Sequence, residues 1–179
     1  MKLFDVLSLG ELNPDIILAD INADAPVLGT EQEIGTFKKT LGSSTAITTV
    51  GLARFGLKTA MVAKLGSDND GRFCLSALQD ENVNTEHIVI DKNLQTGFTV
   101  SLTYATDRLL ATYPGAMNAL RVEDVPSALL ANSRHLHVAS FYLQTALQVG
   151  LAGLFKRAKV LGLSTSLDTG WDPKEQWQN

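Results

Sequence analysis

The chain has 179 residues, 45% of them hydrophobic, which is enough for a cored domain and excludes a disordered tract. Its net charge of -4, from 15 basic and 19 acidic residues with no Lys/Arg cluster, excludes a nucleic-acid polymer as partner. Cys74 is the only cysteine, Asp5 and Glu11 interrupt the apolar N-terminus, and no run reaches the ~18 apolar residues of a membrane span, so no internal disulfide, signal peptide or membrane is expected and the cytoplasm is the expected compartment.

Phe4 to Leu9 reads as a buried strand opening into the polar loop GELNPD. Residues 15 to 40 hold two short alternating pieces, Asp15 to Leu18 and Glu33 to Lys39, which predict exposed strands. From Ser43 the period becomes helical, with Ala46, Val50 and Ala53 on one face and Gly56 as the stop. Thr59 to Leu65 predicts a second buried strand. Asp68 or Asn69 caps a helix through about Gln79, in which Cys74 is a buried small hydrophobe, and His87 to Ile90 predicts a third strand. This alternation predicts a parallel sheet covered by helices.

Thr96 to Tyr104 and Leu109 to Thr112 alternate across the turn TDR, as a hairpin does. A short helix near Ser127 to Asn132, a strand around Leu136 to Ala139, a helix from about Leu143 to Lys159 and a strand at Leu163 to Leu167 complete the pass. The two hairpin-like excursions, near 15–40 and 96–112, are expected to pair as a small lid.

Asn13 and Asp15 follow the first strand, at the edge where open α/β sheets bind ligands. An amide and a carboxylate there suit vicinal hydroxyls, and both residues are also ordinary turn formers. The hydroxyls of SSTA at 43–46 cap the helix, while its bare N–H groups suit a polar ligand. Asp168 ends the last strand, where a carboxylate suits a magnesium-phosphate or closes a turn. LGSDNDG at 65–71 fails as a calcium loop, because the twelfth position is Ala77. His135 and His137 share one strand face with no third ligand, so a structural role is expected. Neither a P-loop nor a dinucleotide fingerprint is present.

Five segments together resemble the ribokinase-like (PfkB) carbohydrate kinases: GELNPD at 10–15, LGSSTAITTVGLARFGLKTAMVAKLGSDNDGRF at 41–73, QTGFTV at 95–100, YPGAMNAL at 113–120 and SLDTGWDP at 166–173. The resemblance implies an ATP-dependent sugar kinase with ATP and Mg as cofactors and a β lid that also serves as a homodimer contact. It implies that Asp15, with Asn13 beside it, binds sugar hydroxyls. It also places Gly42, Ser43 and Ser44 along the sugar cleft, Phe98 over the sugar, and Asp168 near the magnesium-phosphate. Gly42 matches the first of a family Gly-Gly pair, Ser43 occupies the second place, and Ile47 stands where Asn is common. Family chains run to roughly 300 residues, and their C-terminal Gly-Ala-Gly-Asp segment, which carries the catalytic base, is not found before Asn179. The resemblance thus implies that 1–179 is the N-terminal part of one kinase domain, without a catalytic base and inactive alone. A non-catalytic sugar-binding or regulatory module is the alternative.

Overall fold

A computed structural model describes residues 2–177, so the remaining positions of the assignment 1–179 lie outside the described residues. The strands are β1 (Phe4–Leu9), β2 (Pro14–Ile21), β3 (Ile34–Leu41), β4 (Thr59–Val62), β5 (Lys64–Gly66), β6 (Val89–Asp91), β7 (Phe98–Thr103), β8 (Arg108–Tyr113), β9 (Ser133–Val138) and β10 (Ser164–Leu167). The α-helices are α1 (Ser44–Arg54), α2 (Asn69–Asp80), α3 (Ser127–Ala131), α4 (Thr145–Gln148) and α5 (Leu151–Val160).

Four strands form the main sheet in the order β10-β9-β1-β4, every neighbouring pair parallel. Leu7, Leu9, Leu136 and Val138 point to one face, where Leu130 of α3 and Leu151 and Leu154 of α5 cover them. Met61 and Ala63 meet Ala46 and Val50 of α1 and Cys74 and Leu78 of α2 in the second core cluster. Each fully buried leucine stabilises by roughly 1.5–3 kcal/mol, which makes these two layers the main source of stability. Burial pushes the Cys74 thiol up to about 12, with the nearby Asp70 charge adding to the shift. The residue is therefore a protonated core side chain rather than a nucleophile.

The chain leaves β1 toward β4 on one side and later returns to β9 on the other. A crevice therefore opens between the loops that follow β1 and β9, as expected at a switch point of an open parallel sheet. The second sheet, the one expected as a lid and called the lid below, has the order β3-β2-β7-β8. Its hairpins are antiparallel, β2 with β3 and β7 with β8, and they join through the parallel pair β2–β7. The two sequence excursions do pair with each other. Among the described residues no helix is long and apolar enough to cross a membrane.

Three elements differ from the sequence reading. The run Thr59 to Leu65 splits between sheets, β4 in the main sheet and β5 in a two-stranded sheet with β6. The expected strand at 87–90 is β6, and it therefore lies outside the main sheet. The single helix expected over 143–159 breaks at Val149 and Gly150 into α4 and α5. Gly150 has φ +91°, and a Cβ there would lie 2.9 Å from Val122 Cγ2, so a left-handed turn replaces the helical one.

Asp68 caps α2 by accepting the Gly71 N–H at 2.8 Å, and it also accepts the Thr96 N–H at 2.7 Å, tying the helix to the start of the lid hairpin. Burial pushes its carboxyl up, but these backbone N–H groups and the Thr96 hydroxyl outweigh burial and hold it below its ordinary value of 3.8. A carboxyl held low in the fold stabilises above its unfolded pKa and loses that contribution as pH falls through the folded value. Asp68→Ala should therefore cost about 1 kcal/mol at pH 7, and urea melts of the two proteins should converge as the medium is acidified below the ordinary carboxylate range.

Candidate functional site

The loop after β1 and the start of α1 lie against each other residue by residue. Gly42 N–H donates to the Asn13 carbonyl at 2.9 Å. Asn13 is buried, and its Nδ2 donates to Pro14 O at 3.2 Å and to Asp15 Oδ1 at 3.4 Å. Asp15 is half-buried at the base of β2. A Cβ on Gly42 would sit 2.1 Å from Asp15 Oδ1, so only glycine allows this approach.

Ser43 is the N-cap of α1, its Oγ accepting the Ala46 N–H at 3.1 Å and donating to the carbonyl oxygen of Glu11. Its φ of +73° is a region L-residues rarely occupy, which accounts physically for glycine at this place in the resembled family. Ser44 is exposed on the first turn, and Ile47 is 56% exposed one turn on. Asn13, Asp15, Gly42 and Ser43 are thus brought together, with Ser44 at the rim.

Burial is the largest influence on the Asp15 carboxyl and raises it above 3.8; the Arg108 charge opposes this and the Glu11 charge adds to it. Strand register puts Thr99 and Thr112 on the same lid face as Asp15, with Thr99 Oγ1 and Thr112 Oγ1 3.0 Å apart. A carboxylate and two hydroxyls on one face, with the buried Asn13 amide beside the carboxylate, are suited to hydrogen-bonding a polyol.

Phe98 is not on that face. It pairs with Tyr113, ring centroids 5.6 Å apart, on the side of the lid away from Asp15. Phe98, expected over the sugar, thus lies on the lid face opposite Asp15, and Thr99 shares the Asp15 face. Asp168 also lies apart from the Asp15 group. It is exposed, its Oδ1 accepts the Gly170 N–H at 3.0 Å, and its carbonyl accepts the Phe141 N–H at 3.4 Å. The turn-closing role weighed for Asp168 is therefore present.

His135 and His137 serve as structural residues, bonding Ser164 and Ser166 across β9 and β10 at 2.7–2.8 Å. Among the described residues no three His, Cys, Asp or Glu side chains cluster closely enough to hold a metal ion. A cavity of about 710 Å³ adjoins the lid's inner face, lined by Leu110, Thr112, Asn118, Tyr142 and Trp171, but Asp15 does not line it.

Sequence reasoning did not single out Glu11 or Arg108, whose charges act on the Asp15 carboxyl. Glu11 is buried, and its carboxylate accepts hydrogen bonds from Thr45, Ser140 and Gln144. The one local signal is a charged residue one glycine beyond an apolar strand. Arg108 reads in the sequence as part of a turn, and its nearness to Asp15 depends on lid pairing.

The strain at Ser43 is testable. Ser43→Gly removes a left-handed L-residue, worth about 1–3 kcal/mol, and loses a cap for which Gly substitutes at a cost of only a few tenths. The variant should raise the thermal midpoint, and an unchanged or lower midpoint would contradict the strain.

Comparison with known proteins places this geometry. The chain is 38% identical over 88 residues to 5-dehydro-2-deoxygluconokinase of Bacillus anthracis and 35% identical over 91 residues to that of Shouchella clausii. Those stretches cover 49% and 51% of this chain but only 25% and 26% of the two kinases. The PfkB protein of Polaromonas sp. JS666 superimposes with a TM-score of 0.82 at 24% identity, covering 96% of this chain and 57% of that one. The ATP-bound fructokinase of Xylella fastidiosa gives 0.79 at 24% identity, covering 100% and 56%. These overlays establish a ribokinase-like fold, and the chain spans just over half of each structure. The sequence model described as pfkB family carbohydrate kinase matches residues 4–178, so this chain belongs to that family.

Proposed function

We propose that this chain is the N-terminal, sugar-binding part of an ATP-dependent kinase domain that transfers the γ-phosphoryl of ATP to a sugar hydroxyl, and that the sugar carries an acid group. The observation that carries the reading is the half-buried Asp15 held against Gly42 at the foot of the lid. A carboxylate kept partly from water holds sugar hydroxyls by charge-assisted hydrogen bonds, and Asn13 and Ser43 supply further polar contacts. The acid group is supported by Arg108 of β8, which strand register puts on the same lid face as Asp15 and which supplies a positive charge there. It is also supported by the curated relatives, which are named for a deoxygluconate derivative.

ATP is supported by family membership and by the ATP-bound fold relative. Magnesium binds through one or two carboxylates plus phosphate oxygens. Asp168, with one oxygen engaged by Gly170 N–H, fits such a role at the end of β10. When bound, the nucleotide and its metal supply the phosphoryl group and neutralise its charge. On this reading residues 1–179 bind the sugar, and transfer needs the part of the relatives' length that the match does not reach; the chain alone is inactive.

Calorimetry with gluconate-type acids and neutral hexoses tests the reading. Saturable binding of an acid sugar is expected, weakened roughly 10- to 100-fold by Asp15→Asn, the range of a hydrogen bond to a charged group. Because the Asp15 carboxyl is raised, affinity should fall on acidification already above the ordinary carboxylate range. Arg108→Ala should weaken acids and leave neutral sugars unaffected. Equal binding of all sugars by wild type and both variants would refute the proposal. ADP release by the homogeneous chain would refute its inactivity alone.

The outer lid face carries Phe37, 67% exposed, with Leu109 and Tyr113 also exposed. A homodimer through that face is part of the same reading. Sedimentation should give a dimer that Phe37→Asp converts to monomer.

A further inference from the structure

Glu11 is 2% exposed and sits at the switch point between the loops after β1 and β9. Oε1 accepts the Thr45 N–H at 3.2 Å and the Ser140 hydroxyl at 2.8 Å, while Oε2 accepts the Thr45 hydroxyl at 2.6 Å and Gln144 Nε2 at 3.3 Å. Each oxygen therefore faces a donor that cannot reverse, a backbone N–H on one side and an amide NH2 on the other, as an acceptor-only carboxylate requires. No Lys or Arg is among these partners; the compensation for burial comes from neutral donors and the start of α1.

The same residue reaches the substrate cluster by a second route. Its carbonyl oxygen accepts the Ser43 hydroxyl, and Gly42 N–H bonds Asn13 O two residues further on. Gly10 is tight as well: a Cβ there would lie 2.2 Å from Thr45 Oγ1. Segments 10–15 and 42–45 are thus zipped together, and the Glu11 side chain in the zip also holds Ser140 and Gln144 after β9.

We infer that Glu11 is a positioning residue for sugar binding: its buried carboxylate fixes where α1 begins, and so fixes Gly42 against Asp15 and the gap that a sugar hydroxyl enters. The inference rests on the reading of Asp15 as a sugar ligand. Two N–H groups of the α1 start are met within the protein, that of Thr45 by Glu11 Oε1 and that of Ala46 by Ser43 Oγ.

Glu11→Gln in the 179-residue chain tests this, because glutamine keeps the shape but turns an NH2 toward a fixed donor. The variant should unfold cooperatively and bind the sugar acid at least tenfold more weakly. The acid limb of binding should also move to lower pH, because Asp15 loses a neighbouring negative charge. The other charges on its face, Lys38 of β3 and Arg108 of β8, are unchanged. A lower melting temperature with unchanged affinity and an unmoved acid limb would overturn the inference. If the variant does not fold, Thr45→Val, which removes one donor of the four, should weaken binding at least threefold, and unchanged affinity would overturn it. If wild type binds no sugar, the parent reading fails on its own. The 13C titration of the Asp15 carboxyl then decides: a downward shift in Glu11→Gln upholds the geometry, and an unmoved titration overturns it.

Discussion

The contact between Gly42 and the Asp15 carboxylate is the constraint around which this molecule is arranged. A segment leaving β1 and another entering α1 meet there, and a Cβ at position 42 would fall 2.1 Å from Asp15 Oδ1, so a side chain at 42 would displace the carboxylate. Everything near it follows from that approach. α1 must begin immediately afterwards, Ser43 must take a positive φ to turn the chain, and its hydroxyl is then placed to cap the helix. A half-buried carboxylate is costly unless its neighbours are polar, and Asn13 and the inner lid face meet that need.

Much of this was legible in the sequence, because the informative signals are local. Small and hydroxyl residues before a helical period, then Gly56, gave α1 nearly to the residue. Alternation gave all four lid strands. What could not be read depends on partners far along the chain. Nothing in Thr59 to Leu65 says that one continuous apolar run serves two sheets, since both halves are buried. Gly150 sits within a helical period, and its left-handed turn is dictated by packing on Val122. Phe98 is an instance of phase: alternation was evident, but which parity faces Asp15 is set by the pairing of β2 with β7. Glu11 is the same problem in another form, since its donors come from 45, 140 and 144.

The strands of the main sheet show how a parallel sheet tolerates polarity. In β9, Leu136 and Val138 enter the core while His135 and His137 turn to the other face and bond the serines of β10. The two faces of one strand therefore have different chemistry, and the histidines need no ligand to be satisfied on their serine-facing side. The carbohydrate-binding reading draws nothing from them.

The lid's central pair, β2 with β7, joins strands on either side of α1, α2 and the intervening small sheet. Closing so long a loop has an entropic cost that the local hairpins do not bear, and pairings of this kind form late in folding. Each hairpin is stitched by its own turn, whereas their union is bought only by docking onto a finished body. The seam down the middle of the lid, which bears Asp15 and Thr99, thus joins strands far apart in sequence, and its order depends on the body beneath it being folded first.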